Sequence, residues 1–393
     1  MGADGRKLKM GMVGGGAGAF IGHVHRRAAE LDGEIELVAG AFSSQPEKAQ
    51  KSAQELGLDP ERSYLDWSQM MISEGTRPVD DRLDLVAIVT PNHLHFPVAK
   101  AAIEAGFHVM CEKPMVRTIE EAETLCSLLE ERQVFFGLCH TYTGYPMIRQ
   151  ARALVQNGRL GRINRVVVNY THGNMVGVAA NEMRRRWRAD PEKSGISNAM
   201  GDIGTHCHNL ISFITNLSQS EICADLHAAQ PGELDNEGTV LVNFEGGAKG
   251  LIHVSQLCVG DVNNLWIKVH GDEGSIEWKQ TEPETLWFRQ AGKPASMINR
   301  GFGDLSEEAS RASRLPPGHP EGFIEAFATL YADFAKAIRS DDRSMCLVPD
   351  QKDGMRGIRF VHDCVAASQS PTKWHAIAIE QAVTLPKENG KQT

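Results

Sequence analysis

Lys7–Leu31 reads KLKMGMVGGGAGAFIGHVHRRAAEL, and its three parts decide the fold class of the first half of the chain. Lys7–Val13 has the apolar content of a strand. Gly14-Gly15-Gly16-Ala17-Gly18-Ala19 fits G-x-G-x-x-A, and a helix runs from about Phe20 to Leu31. Glycine here lets the backbone turn tightly and approach a ligand, while the helix start offers unpaired N–H groups and a positive dipole end. A glycine string alone is a weak signal. Between a strand and a helix it has the context that a dinucleotide pyrophosphate requires. Gly14, Gly16, Ala17, Phe20 and Ile21 are therefore expected at a dinucleotide.

Working outward, Ile35–Phe42 is the second strand, ending in Phe42-Ser43-Ser44-Gln45. An acid at this point would hold the ribose 2′-hydroxyl of NAD. None is present, so Ser43 and Ser44 are the expected contacts, and the choice between NAD and NADP stays open with a tilt toward NADP. Pro46–Leu56 and Asp66–Ile72 read as helices and Glu74–Arg82 as an exposed polar loop. Asp84–Val89 is a buried strand ending in Thr90-Pro91-Asn92-His93-Leu94-His95. Ligands sit outside the carboxyl ends of such strands, which places Thr90, Pro91, Asn92 and His95 at the cofactor. His93 and His95 are not read as catalytic: one caps the following helix and the other packs.

A helix over Phe96–Ala105 closes on Gly106, and the strand Phe107–Cys111 runs straight into Glu112-Lys113-Pro114. Lys113 is thereby placed at the mouth of the same crevice, with Glu112 and Lys113 at the cofactor. The helix Thr118–Glu131 and the strand Val134–Leu138 complete an alternation that predicts a doubly wound parallel sheet over the first ~140 residues.

The pattern then changes. A helix at Tyr145–Gln156 leads to a strand at Arg162–Tyr170 and a polar stretch containing Arg184-Arg185-Arg186-Trp187-Arg188, read as a rim for substrate, cofactor phosphate or another subunit. Ile222–Ala229, Glu237–Phe244, Lys249–Leu257, Asn264–His270, Ser275–Lys279 and Thr285–Arg289 alternate as strands of a large, mostly antiparallel sheet. Ala291–Pro320 reads as a loop, Glu321–Ile338 and Asp350–Ala367 as helices, and Trp374–Ile379 as a tail strand. A helix of about Asp202–Thr215 would place Asp202, His206 and Asn209 on one face and turn His208 away. His206-x-His208 splays on a helix and lacks a third ligand, so no metal is expected.

The chain has 393 residues, 41% hydrophobic and 23% charged, which suits a globular chain of two domains, 1–143 and 144–393. A net charge of −9 disfavours nucleic acid and anionic membranes as partners. No apolar run could span a bilayer. Arg6, Lys7 and Lys9 lead straight into a strand rather than a signal peptide. Eight scattered cysteines without Cys-x-x-Cys read as free thiols of a cytoplasmic protein.

Gly14–Ala19, Thr90-Pro91-Asn92-His93, Glu112-Lys113-Pro114, Trp187-Arg188 with Asp190-Pro191, and Gly201-Asp202-Ile203-Gly204-Thr205-His206 together resemble the Gfo/Idh/MocA family. The resemblance implies a Rossmann domain followed by an α/β domain whose open sheet joins a homodimer or homotetramer. It implies catalytic Lys113, Asp202 and His206, with Trp187 and Arg188 at the cofactor. Lys113, Tyr142, Asp202, His206 and Asn209 would face the substrate. A family arginine common after the last Rossmann strand is absent, with Tyr142-Thr143-Gly144-Tyr145 standing there; Asn209 occupies a frequent aspartate position, and the glycine loop is longer than usual. The implied activity is hydride transfer between NAD or NADP and a ring carbinol or ketone of a sugar or cyclic polyol, inositol-like in class. His206 would be the base, Asp202 would orient the hydroxyl and tune the imidazole, and Lys113 would hold the reacting oxygen. An NAD-retaining glycoside hydrolase or epimerase, or a non-catalytic dinucleotide-binding regulator, are the alternatives.

Overall fold

A computed structural model describes residues 5–176, 190–344 and 346–377. Its first sheet is parallel and five-stranded: β1 (Leu8–Gly14), β2 (Ile35–Ala41), β3 (Leu85–Val89), β4 (His108–Cys111) and β5 (Phe136–Leu138), in the order β2-β1-β3-β4-β5. The strands are almost wholly buried, as both faces of a parallel sheet must be. Helices α1 (Phe20–Leu31), α2 (Pro46–Glu55), α3 (Trp67–Gly75), α4 (His95–Glu104) and α5 (Ile119–Arg132) make the crossovers. The strand order reverses between β1 and β3, and both the glycine loop and the Thr90 turn open at this switch point.

The second half opens with α6 (Pro146–Gln156) and β6 (Ile163–Thr171). It then continues through α7 (Thr205–Thr215), β7 (Gln219–His227), β8 (Glu237–Phe244), β9 (Lys249–Ser255), β10 (Asn264–Gly271), β11 (Gly274–Lys279) and β12 (Thr285–Gln290). These strands, with β13 (Ser296–Asn299) and β14 (His375–Ala376), form a nine-stranded sheet in the order β13-β12-β11-β10-β6-β9-β8-β7-β14. Only β6 and β9 pair in parallel. Inward-facing Val166, Val168, Val240, Ile252, Ile267 and Trp278 bury one face against α6 and α7, while Leu241, Trp266 and Trp287 alternate outward.

Two stretches differ from the sequence reading. Ala291–Pro320 is not merely a loop: β13 adds an edge strand to β12, and α8 (Glu307–Arg311) starts on Ser306, whose hydroxyl accepts the Ala309 N–H. Both pieces are too short to show a period. Glu74 is not exposed but fully buried inside α3, bound by Arg62 (Nε–Oε1 3.0 Å) and by the Tyr64 hydroxyl (2.9 Å). Its hydrogen-bonding partners come from earlier in the chain, with Arg77 Nε pairing from the next turn at 3.5 Å, so a polar string was mistaken for a solvated one.

Two long helices close the chain. α9 (Phe323–Ser340) packs on α1, and its Phe327, Tyr331 and Phe334 share a core with Met10, Met12, Val24 and Ala28. α10 (Gln351–Gln369) lies against α5 and β7. The first sheet is therefore finished by a helix from the far end of the chain. All eight cysteines are free, and no described helix is long and apolar enough to cross a membrane.

Candidate active site

The glycine loop explains itself sterically. Gly14, Gly15 and Gly18 hold φ of 83°, 69° and 80°, which only glycine adopts freely. A Cβ on Gly22 would lie 2.4 Å from Gly15 Cα, so the loop rests directly on α1. A Cβ on Gly16 would lie 2.9 Å from Ser52 Oγ. Ala19 gives α1 no side-chain cap, and its first turn carries no acid. An uncapped helix start beside a flat glycine cradle fits a diphosphate. Phe20 and Ile21 occupy that first turn, as expected. The Ala17 N–H, by contrast, donates to Ser52 Oγ at 2.9 Å. Ser43 and Ser44 follow the end of β2, with Ser43 Oγ accepting the Gln45 N–H and Ser44 exposed.

The turns after β3 and β4 are tied together. His95 is buried, with Nδ1 2.7 Å from Pro114 O and Nε2 3.0 Å from Thr90 O. It braces the Thr90-Pro91 turn against the lysine-bearing turn, and this corrects its reading as a direct cofactor contact. Asn92 Nδ2 donates to Ser194 O across to the second half, at 3.1 Å. Glu112 is likewise a brace. Its Oε1 lies 2.9 Å from His25 Nε2, its Oε2 accepts the Lys113 N–H at 3.2 Å, and His25 Nδ1 meets the Tyr331 hydroxyl at 2.7 Å. Burial alone would raise the Glu112 carboxyl. The His25 hydrogen bond and the nearby positive charges outweigh it and hold the group below its ordinary value.

Across the cleft, a π-helical turn over Met200–Gly204 leads into α7. The sequence placed the helix start at Asp202, but helical backbone already begins at Ala199. Asp235, from the loop before β8, caps it by accepting the Asn198 and Met200 N–H groups at 3.0 Å each, a partner no local pattern could reveal. Such turns occur often at functional sites. Lys113 Nζ donates to Asp202 O at 2.6 Å and to Asp202 Oδ1 at 2.8 Å. Gln256 Nε2 approaches Asp202 Oδ2 at 3.4 Å.

His206 lies 7% exposed, with Nδ1 3.3 Å from Nδ1 of His140 and the Tyr142 ring edge-on at 4.8 Å. Burial, then the positive charge of Lys113 and the neighbouring His140, push its imidazole well below its ordinary value, with Asp202 opposing. His140 is driven to about 3, chiefly by burial. The Tyr142 hydroxyl bonds that of Tyr170 at 2.6 Å, so its ring forms the wall behind His206. Asn209, one turn further along α7, is buried with Oδ1 unpartnered among the described residues. His208 turns away, as expected, and stacks on Phe360 of α10. Trp187, Arg188 and the arginines before them lie outside the described residues. His25, Glu112 and Cys139 cluster, but His25 already spends both nitrogens on hydrogen bonds.

The sequence reading missed His140, Tyr170 and Gln256. His140 carried a usable signal: it follows β5 at the same carboxyl edge that marked Lys113 after β4.

Residues 8–140 match the oxidoreductase-family NAD-binding Rossmann domain, and residues 148–277 match the Gfo/Idh/MocA C-terminal domain. The chain belongs to the Gfo/Idh/MocA oxidoreductase family. It is 32% identical to the uncharacterized oxidoreductase YfiI of Bacillus subtilis over 94% of this chain and 96% of that protein. It is 26% identical to levoglucosan dehydrogenase of Pseudarthrobacter phenanthrenivorans, over 94% of this chain and 98% of that enzyme. The crystal structure of an inositol dehydrogenase homolog from Azotobacter vinelandii, complexed with NADH and myo-inositol, superposes with a TM-score of 0.87. That structure is 34% identical, with 94% of this chain and 98% of that one covered. This family member is an NAD(P)-dependent oxidoreductase, and the glycine loop lies within the matched NAD-binding domain.

Proposed function

We propose that this protein interconverts a ring carbinol and its ketone on a cyclic polyol or sugar, inositol-like in class. One observation carries the reading: the Lys113 amine from the dinucleotide half and the Asp202–His206 helix from the other half meet in one cleft, with Nζ 2.8 Å from Asp202 Oδ1. When bound, the nicotinamide supplies the hydride acceptor or donor. The protein handles the proton. His206 takes it from the carbinol at Nε2, so an O–H bond breaks as an N–H bond forms. A lysine ammonium has three donors, and Asp202 engages Lys113 twice, leaving one N–H for the reacting oxygen. Asp202 thus serves mainly to aim the amine. The orphan Oδ1 of Asn209 would accept a further ring hydroxyl.

Glycine backbone at the cradle, Thr90-Pro91-Asn92 and the Ser43-Ser44 turn would contact NAD or NADP. The outward face of the nine-stranded sheet, with Leu241 42% exposed, would join two or four copies. Light scattering that finds a monomer would overturn that part.

The test is a panel of cyclic polyols and monosaccharides, myo-inositol included, with NAD+ and NADP+ in turn, followed by absorbance of the reduced nicotinamide. Net reduction with a cyclic polyol is expected. Product formation without any net cofactor reduction would point instead to a redox-neutral enzyme.

A further inference from the structure

The His140–His206 contact is chemically demanding. Two neutral imidazoles can hold their Nδ1 atoms 3.3 Å apart only if one Nδ1 carries hydrogen and the other does not. If His140 carried it, His206 would bear its own hydrogen on Nε2 and could accept nothing there. If His206 carries it, its Nε2 presents a lone pair, and among the described residues nothing hydrogen-bonds that atom. The second arrangement is the one a proton acceptor needs. It also serves the reverse direction, in which Nε2–H is given up and Nδ1–H stays.

The fold ties down the backbone that carries the second ring. The His140 N–H bonds Leu138 O at 2.8 Å, and its carbonyl accepts both the N–H and the hydroxyl of Thr143, at 3.0 and 2.9 Å. Its φ of −83° and ψ of 76° describe a tight three-residue turn leaving β5. The two ring planes stand at 83° with centroids 5.2 Å apart, and the Tyr142 ring backs His206. Simple filling of this space would need no nitrogen.

From this geometry we propose that His140 is the positioning residue for His206: its Nδ1 accepts the His206 Nδ1–H and so fixes the tautomer whose Nε2 lone pair faces the cleft. The role rests on the proposed carbinol oxidation. As the carbinol proton arrives, the O–H bond breaks, Nε2–H forms and Nδ1–H remains, leaving a cation that His140 stabilises through the same hydrogen bond.

The substitutions follow from shape. Asn places an amide oxygen where His140 has Nδ1, whereas Phe fills the space with no acceptor. His140→Phe is expected to lower kcat about 100-fold while KM and NADH affinity stay within about twofold. His140→Asn should retain kcat to within about tenfold of wild type. NADH binding and thermal melting verify that each variant folds. His206→Ala is assayed alongside. If it turns over like wild type, the reading of the site itself fails. If it is inactive while His140→Phe matches wild type, or if His140→Asn is as impaired as His140→Phe, only the positioning role is overturned. A measurement independent of turnover is the ¹⁵N spectrum of selectively labelled histidine. It should show His206 protonated at Nδ1 in wild type and lose that preference in His140→Phe. An Nε2-protonated His206 in the wild-type protein would contradict the proposal.

Discussion

The two ends of the cleft are built by opposite means. The end proposed to take the dinucleotide is backbone: three left-handed glycines, a glycine-on-glycine contact between Gly15 and Gly22, and a helix start that no side chain caps. All of it lies within one short stretch. The end proposed to handle the proton is side chain: Lys113 after β4, His140 after β5, Asp202 just before α7 and His206 on it. No two of these segments adjoin in the chain, and a cap from Asp235 and a wall from Tyr170 support them. A site made of backbone tolerates no added atom but depends on few side chains. A site made of side chains depends on topology bringing distant positions together.

The difference sets what should break each end. Gly22→Val is expected to have the largest effect. Its side chain would meet Gly15 within 2.4 Å, lifting the loop and abolishing dinucleotide binding and turnover together. Isothermal titration with NADH measures this, and unchanged affinity would show that the cradle does not need the contact.

Acid should strike the buried histidines, at the side-chain end and beyond it. His140 and His208 are driven to about 3 and His108 to about 4, each chiefly by burial, and His206 falls in the same direction. Buried neutral histidines bind fewer protons than they do in the unfolded chain, so stability falls as pH drops below about 6.5. Each contributes roughly 1.4 kcal/mol per pH unit until its folded value is reached. Glu112, held low, acts in the same sense, because the stability it gives is lost as pH falls. Asp353 and Asp363, raised by burial, act against it. Urea midpoints at pH 7 and pH 5 should show a clear loss at pH 5, and a flat profile would refute the buried-neutral assignment.

The smallest effect belongs to Gln256. Its amide touches Asp202 at 3.4 Å and is anchored by Asn198 at 2.9 Å, so Gln256→Ala should cost about 0.5–1.5 kcal/mol of transition-state stabilisation. That is roughly a two- to tenfold fall in kcat/KM, with NADH affinity unchanged.

The same division explains what the sequence disclosed. Gly14–Ala19 announced itself because strand, glycines and helix are contiguous, and Lys113 could be placed because it ends a strand of that sheet. Asp202 and His206 were found on one helix face, although the π turn before α7 and its cap from Asp235 were invisible locally. Asp202 was expected to orient the hydroxyl and tune the imidazole; its Oδ1 also accepts from the Lys113 Nζ at 2.8 Å, a contact across the cleft that the helix face alone did not disclose. His140 shares the strand-end position of Lys113 yet was passed over, because its partner lies 66 residues on. Glu74 looked solvated for the same reason: Arg62 and Tyr64, which bury it, precede its helix. His95 and Glu112 sat where ligand contacts were expected, but their hydrogen bonds go to the protein.

The meeting of Lys113 and His206 across the cleft is the claim on which the functional account depends. The direct test is turnover of Lys113→Ala and His206→Ala on a cyclic polyol, with NADH affinity measured on the same samples. The account predicts a loss of about 10²–10⁴ in kcat for each, with the dinucleotide still bound. Near-wild-type kcat in both variants would contradict it.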